Sequence, residues 1–433
     1  MASQTGAKKV VIIGGGFAGV ALVKKLLKKD FDVTLIDAHN YHQFQPLFYQ
    51  VASGRLAPST ISTALRKLFG GNDNFHFRLG KVANVDVNTK AVLLENGVQI
   101  GYDYLVIATG CTNNYFGNAN VAKNSYSMKS TPQASALRNR ILLNLEEIYY
   151  AAPEDKELFE NIVVVGAGPT GVETAGALAE LKCKILPKEY PDQDFSKIKI
   201  TIIEGTPFVL GPMSEKARKY SRKYLEELGV NVLTEKIVTD YDGRTLSLKD
   251  GMTIKTNLVV WSAGVIGNVP NGIPKEVVQR GARITVDEYH KVTGLDGVYA
   301  IGDISSMVTD ANPRGYAQLG NVAMKQGVNL ANVLAAVEAG KQPKKFVYHS
   351  PGTMATVGKW KAVVDLPWFS FAGPFAWLTW MLVHLFLVYT WRNRLVIFNN
   401  WIISFFANDS YLRQILLPTK GDVEMGEKYP EQE

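Results

Sequence analysis

At 433 residues the chain exceeds one ordinary domain, and 46% hydrophobic with 20% charged residues suits a globular protein with a sizeable core. The formal charge of +7 is spread along the sequence rather than gathered into a stripe, which argues against nucleic acid and suits an anionic lipid surface equally well. Cys111 and Cys183 lie far apart and form no CxxC or CxxxxC pair, which argues against a disulfide scaffold, a zinc site and a dithiol redox centre.

Residues 1–9 carry no apolar stretch of secretory type, and the chain enters a strand almost at once. Residues 9–13 are a β-branched run of the kind buried on both faces of a parallel sheet. Gly14-Gly15-Gly16-Phe17-Ala18-Gly19 follows, then a helix over residues 20–29 and a second strand over 32–36 that ends at Asp37. In this setting Gly14 permits a tight turn, Gly16 lets the backbone approach a pyrophosphate, and Gly19 lets helix and strand pack closely. The free N–H groups and the dipole at the helix N-terminus favour an anion. Asp37 is placed to accept from a ribose hydroxyl. Residues 102–110 then form a strand that runs into the small-residue turn Ala108-Thr109-Gly110.

The same unit recurs. Residues 161–165 are a strand, Gly166-Ala167-Gly168-Pro169-Thr170-Gly171 the loop and 172–181 the helix. After a polar, Pro-containing stretch over 182–196, read as a surface insertion, residues 197–203 form a strand ending at Glu204. A carboxylate there bonds a free ribose 2′-hydroxyl and repels a 2′-phosphate, and no arginine lies in residues 205–213, so NADH is favoured over NADPH. Glu173 stands in the first helical turn, where a helix dipole alone would favour an acid. A carboxylate is nevertheless a poor neighbour for a diphosphate, so Glu173 is expected to point away, toward the ring end of the ligand. Residues 258–264 repeat the strand-and-turn shape and end on Ala263-Gly264, and residues 297–303 form a strand ending in Gly302-Asp303, whose carboxylate suits a sugar or ribityl hydroxyl.

Two such loops imply two dinucleotides, and cofactors whose rings meet form an electron-transfer device. The order of first loop, Ala-Thr-Gly turn, second loop and Gly-Asp resembles the two-dinucleotide-binding flavoprotein reductases with the glutathione reductase-like fold, over residues 8 to about 340. The resemblance implies an α/β fold. Residues 1–125 would form the first part of an FAD domain, 126–275 an inserted NADH domain, 276–348 the second part of the FAD domain and 349–433 a C-terminal membrane-associating helical region. FAD would contact Gly14, Gly16, Phe17, Ala18, Gly19, Asp37, Ala108, Thr109, Gly110, Gly302 and Asp303. NADH would contact Gly166, Gly168, Pro169, Thr170, Gly171, Glu204, Ala263 and Gly264.

Disulfide reductases and sulfide:quinone oxidoreductases need redox cysteines that this chain lacks. The strings Asn40-Tyr-His-Gln-Phe-Gln-Pro-Leu-Phe-Tyr-Gln-Val-Ala52, Gly352-Thr-Met-Ala-Thr-Val-Gly358 and Arg392-Asn-Arg394 with Asn400-Trp401 are similar to those of the type II NADH:quinone oxidoreductases, also called alternative NADH dehydrogenases. That resemblance covers nearly the whole chain. It implies a quinone acceptor, a homodimer formed through the C-terminal region, and a monotopic position on the cytoplasmic face of the inner or cell membrane; with no bundle of spans holding buried charges in the sequence, proton pumping is not expected. It places Gly320, Asn321, Lys325 and Gln326 at the quinone, although the family pattern is close to A-Q-x-A-x-Q-Q and Asn321 and Lys325 replace two of its glutamines. Ala317-Gln318 offers a second register. It also gives Glu173 a role near nicotinamide and quinone, as a group supporting proton delivery. No metal is expected: His42, His76, His290 and His349 lack ligand spacing and read as packed or surface histidines.

Six of the seven tryptophans lie between Trp360 and Trp401, and residues 366–391 contain no Asp, Glu, Lys or Arg. Gly373-Pro374 interrupts this stretch, and the second apolar stretch, over residues 395–407, is too short to span a bilayer. Two membrane-surface helices joined near Arg392 are favoured over one crossing or a buried dimer interface. A soluble reductase of a protein electron carrier and a non-enzymatic NADH sensor are the competing functions, and the Trp-rich tail argues against the first.

Overall fold

The structure, a computed structural model, describes residues 6–310, 312–407 and 412–417. The expectations for residues 1–5, and those for residues 408–411 and 418–433 at the end of the C-terminal region, lie outside the described residues.

The β-branched run at the start of the chain becomes the central strand of a five-stranded sheet. Its order is Val298–Ala300, Tyr104–Ile107, Lys8–Ile13, Phe31–Asp37 and Phe75–Leu79, with every pair parallel. A second, four-stranded parallel sheet has the order Val230–Leu233, Lys199–Ile203, Asn161–Val165 and Leu258–Trp261. Parallel sheets of this kind need helices on their faces, because both faces are apolar. Phe17–Leu26 and Gly320–Glu338 cover the first sheet. They approach so closely that a Cβ on Gly327 would lie 2.4 Å from the carbonyl oxygen of Ala18. Pro169–Lys184 covers the second sheet, and its Gly176 presses on the strand Thr353–Gly358, where a Cβ would lie 1.7 Å from the oxygen of Val357. A short antiparallel pair, Cys111–Asn113 with Val265–Gly267, joins segments flanking the two sheets.

Both loop helices begin earlier than the apolar pattern suggests, at Phe17 and Pro169, because the last glycine of each loop already lies in the first helical turn. Residues 182–196 are more than a polar surface insertion. The helix runs on to Lys184, a further turn covers Leu186–Glu189, and Ile185 and Leu186 are buried.

The C-terminal region contains the two expected helices, Pro374–Leu387 and Trp391–Ala407, meeting just before Arg392. No helix among the described residues is long and apolar enough to cross a membrane. An antiparallel sheet of Thr353–Gly358, Lys361–Asp365 and Ser370–Ala372 precedes them and was not foreseen. The tryptophans of this region are of two kinds. Trp368 and Trp391 are exposed, as a membrane-boundary reading requires, but Trp380 and Trp401 are buried and belong to the core.

Candidate active site

Each glycine loop leaves its central strand through a turn that only glycine adopts readily: Gly14 has φ 108° and Gly166 has φ 98°. The turn is fixed by a hydrogen bond from the Gly14 amide to Ile36 O and from the Gly166 amide to Ile203 O. A Cβ on Gly14 would meet Ala108 O at 2.4 Å, and one on Gly166 would meet Ala263 Cα at 2.8 Å. The small-residue turns expected beside the nucleotides therefore do pack on the loops. Gly19 also packs on the strand as expected, with Ile12 Cγ2 3.6 Å from an added Cβ, but the tighter constraint at Gly19 and Gly171 is the loop itself. A Cβ there would fall 1.9 Å from Gly14 O and 1.8 Å from Gly166 O, so these glycines let each loop close on its own first carbonyl. Gly16 and Gly168 face open space, with nothing within 4 Å of an added Cβ, and no side chain caps the helix that follows either of them. A helix N-terminus with free N–H groups and an open approach fits a diphosphate.

The acidic residues at the ends of the second strands hold these loops. Asp37 accepts from the amides of Gly15 and His39, and Glu204 accepts from those of Ala167 and Thr206 at 2.8 Å each. A carboxylate offers about four acceptor sites, so each keeps capacity for a ribose hydroxyl. The structure also brings Arg218, from outside the 205–213 window, over the ring of Phe208 at 4.3 Å.

The remaining residues expected around FAD gather at one corner. Gly302, at φ 76°, packs on Ala18 and Ala323. The Gln326 side chain accepts from the Gly302 amide at 2.7 Å, and Gln318 donates to Asp303 O at 3.0 Å. Thr109 donates to Asn268 O, and the Cys111 thiol donates to the Asp303 carboxylate at 3.2 Å. Burial raises the pKa of Asp303, while burial together with the Asp303 charge pushes the Cys111 thiol up to about 12, so it is not a nucleophile. His42, expected as an ordinary packed histidine, is buried with Nδ1 donating to Gly15 O, between the rings of Phe17 and Tyr389.

Of the four residues expected at a quinone, three meet different partners. Gly320 rests on the Phe17 ring. Gln326 turns inward to Gly302, and exposed Lys325 donates to His349 O at 2.8 Å above the Tyr348 ring. Glu173 lines a cavity with Tyr49, Gln50, Trp380 and Trp401. Its carboxyl meets the Thr356 amide and the Trp380 indole. Its carboxyl is buried and pushed up to about 8 by desolvation, against the weaker opposing pull of the Thr356 amide and the Trp380 indole. Across the cavity stands Glu180, which the sequence gave no reason to single out. Burial works against its charge, but Arg55 at 2.6 Å and Lys184 at 2.9 Å outweigh burial and hold it down at about 2. Among the described residues no cluster of His, Cys, Asp and Glu could hold a metal ion.

Two parallel sheets, each delivering a glycine loop to a helix N-terminus, define a two-dinucleotide oxidoreductase. Residues 8–327 match the family described as pyridine nucleotide-disulphide oxidoreductase, and residues 350–408 match the NDH2 C-terminal domain. Type II NADH:quinone oxidoreductase NdhA of Mycobacterium tuberculosis is 34% identical, over 92% of this chain and 87% of that one. Ndh of the same organism, also a type II NADH:quinone oxidoreductase, is 32% identical, over 92% and 88%. NDH2 from Plasmodium falciparum, solved in complex with NADH, has the same fold: TM-score 0.87 at 23% identity, covering 95% of this chain and all of that one. The chain belongs to the type II NADH:quinone oxidoreductase family.

Proposed function

We infer that this protein oxidises NADH and reduces a quinone, with FAD as its resident cofactor and without pumping protons. The observation that carries this reading is the pair of loops, alike in backbone and each open at a helix N-terminus, in a chain 34% identical to a protein of that activity. FAD, when bound, supplies a two-electron carrier between NADH and the quinone. The amides after Gly16, the Asp37 carboxylate, the 108–110 turn and the Gly302-Asp303 corner are the groups that would hold it. Gly166 to Gly171, Glu204, Ala263 and Gly264 would hold NADH and orient its ring. The division into residues 1–125 and 276–348 for FAD, 126–275 for NADH and 349–433 for membrane and partner contacts belongs to the same proposal.

The quinone contacts are assigned to the helix that starts at Gly320. Gln326 acts there by fixing Gly302, while Asn321 and Lys325 stand where the family pattern has glutamines. Glu173 is the proposed proton donor to the quinone. With its carboxyl pushed up to about 8, it is mostly protonated at neutral pH, as a general acid must be. The exposed aromatic side chains Trp368, Phe369, Phe375, Phe386, Trp391 and Phe406 support docking of the C-terminal region into the headgroup region, and a position on the cytoplasmic face of the membrane belongs to the same proposal. A homodimer formed through the same region completes the proposal.

The test is to follow NADH absorbance with a short-chain quinone analogue, with NADPH in parallel. Rapid loss of NADH that depends on quinone, with NADPH much slower, is the expected result. Flavin reduction without quinone turnover would move the acceptor to a protein carrier.

A further inference from the structure

After the strand Cys111–Asn113 the chain makes a tight turn at Tyr115-Phe116-Gly117-Asn118, closed by the Asn118 amide donating to Tyr115 O at 3.0 Å. Both central residues are left-handed, Phe116 at φ 52° and Gly117 at φ 79°. Such positions ordinarily hold Gly, Asn or Asp, and a bulky residue there is strained. The strain is held in place from both sides. Asn114 Oδ1 accepts from the Phe116 amide at 2.8 Å, and Trp261 Nε1 donates to Asn114 O at 2.9 Å. Yet the Phe116 ring is 69% exposed, so its own burial does not offset the cost. Strain that the surroundings fix and the core does not use is a mark of function.

The ring lies against the turn that follows the strand Leu258–Trp261. A Cβ on Gly264 would meet Phe116 Cζ at 3.0 Å, and the ring stands edge-on to Trp261 with centroids 6.5 Å apart. The order of the second sheet says which part of a dinucleotide reaches this point. The strands Lys199–Ile203, Asn161–Val165 and Leu258–Trp261 are consecutive neighbours, about 4.8 Å apart. The first leads to Glu204, the second to the phosphate loop and the third to Ala263-Gly264. With the adenosine ribose at Glu204 and the diphosphate on the loop, the nicotinamide half extends over Ala263-Gly264. Phe116 stands at that end.

We propose that Phe116 is a binding residue for the nicotinamide half of NADH, its ring forming an apolar wall against the nicotinamide riboside; this rests on the second loop being the NADH site. A flat heterocycle packs well on an aromatic ring, and the cationic nicotinamide of NAD⁺ is also attracted to the face of one. A ring aimed by a fixed turn loses little freedom when the ligand arrives. Gly264, at φ 77° and without a side chain, keeps the space beneath the ring clear. Trp261, buried, supports the turn from behind. Phe116 has no group that transfers a proton or a hydride, so its part is to bind and position.

Phe116→Gly and Phe116→Asn remove the ring and both accept the left-handed backbone, so either serves if the other fails to fold. Calorimetric titration of the oxidised, yellow protein with NAD⁺ reads binding without turnover. Each variant is expected to bind NAD⁺ about fivefold more weakly, the range of one aromatic contact. ADP-ribose, which lacks the nicotinamide, should bind as it does to the parent. In turnover, the NADH concentration for half-maximal rate should rise about fivefold, while that for quinone, the flavin content and the thermal midpoint stay parental. Phe116→Tyr should behave as the parent throughout. Parental NAD⁺ affinity in both variants would overturn the proposal. Equal weakening of NAD⁺ and ADP-ribose would overturn the nicotinamide contact, and a fall in flavin content and thermal midpoint alongside affinity would make the ring a structural one. A parent whose flavin NADH does not bleach would instead remove the NADH site itself, and the role of Phe116 with it.

Discussion

The two phosphate loops share a backbone and differ in what stands over them. Turn, strand-end carboxylate, open central glycine and self-closing last glycine correspond one to one. In the first loop, Ala18 is buried under the Gly302 corner and the helix Gly320–Glu338, and Phe17 is wedged against His42 and Phe44. At the matching places in the second loop, Pro169 and Thr170 are exposed. The helix behind the second loop is covered in its middle, where Gly176 meets Val357, and not at its N-terminus. Local sequence sets the cradle, and tertiary cover sets how long a ligand stays in it. A walled loop suits a resident FAD, and an open one suits NADH, which must enter and leave each turnover.

Closing each cradle separately should have the largest effect. Gly19→Ala should yield protein that has lost its flavin colour. Gly171→Ala should remain yellow but bleach with NADH about 100-fold more slowly, because a Cβ within 2 Å of a backbone oxygen must displace the loop. Absorbance of the purified protein and stopped-flow reduction check both, and loss of FAD from both variants would dissolve the distinction.

The two carboxyl groups on the second helix sharpen the contrast through opposite effects on stability. Glu180→Gln strands Arg55 and should cost about 3 kcal/mol. Its native carboxyl is held down at about 2, so its contribution is present above the ordinary value of 4.5 and lost as pH falls through about 2. Glu173 has the reverse sign. Its carboxyl is raised to about 8, so the stability of the native form is fully present below 4.5 and lost as pH rises through about 8. Glu173→Gln should therefore gain on the parent by up to about 3 kcal/mol between pH 5 and 8. Denaturant midpoints across that range decide both.

A smaller effect separates the two strand-end acids. Glu204→Gln should improve use of NADPH relative to NADH by roughly tenfold, about 1.4 kcal/mol. Asp37→Asn should leave that ratio unchanged and weaken FAD retention instead. Cofactor-dependent kcat/KM and flavin release on dilution give the two readings.

The loops were legible in the sequence because everything that shapes them lies within a few residues, apart from the carboxylate one strand away. The cavity was not, because its parts come from far apart: Arg55 pairs with Glu180 across 125 positions, and Trp401 meets Gln50 across 351. Composition alone also could not divide the tryptophans. Trp380 and Trp391 sit in the same apolar stretch, yet one is buried against His384 and Tyr49 and the other is exposed. Gln318, just before the helix at Gly320, and Gln326 within it were legible as polar residues, but their use, fixing the Gly302-Asp303 corner, depends on a strand end from another part of the chain.

The most direct test is an anaerobic titration of the yellow protein with NADH, followed by a short-chain quinone. One equivalent of NADH should bleach the flavin, quinone should restore its colour, and FAD should stay bound while NAD⁺ is released. Flavin that leaves with NAD⁺, or that quinone cannot reoxidise, would contradict a resident FAD between NADH and quinone.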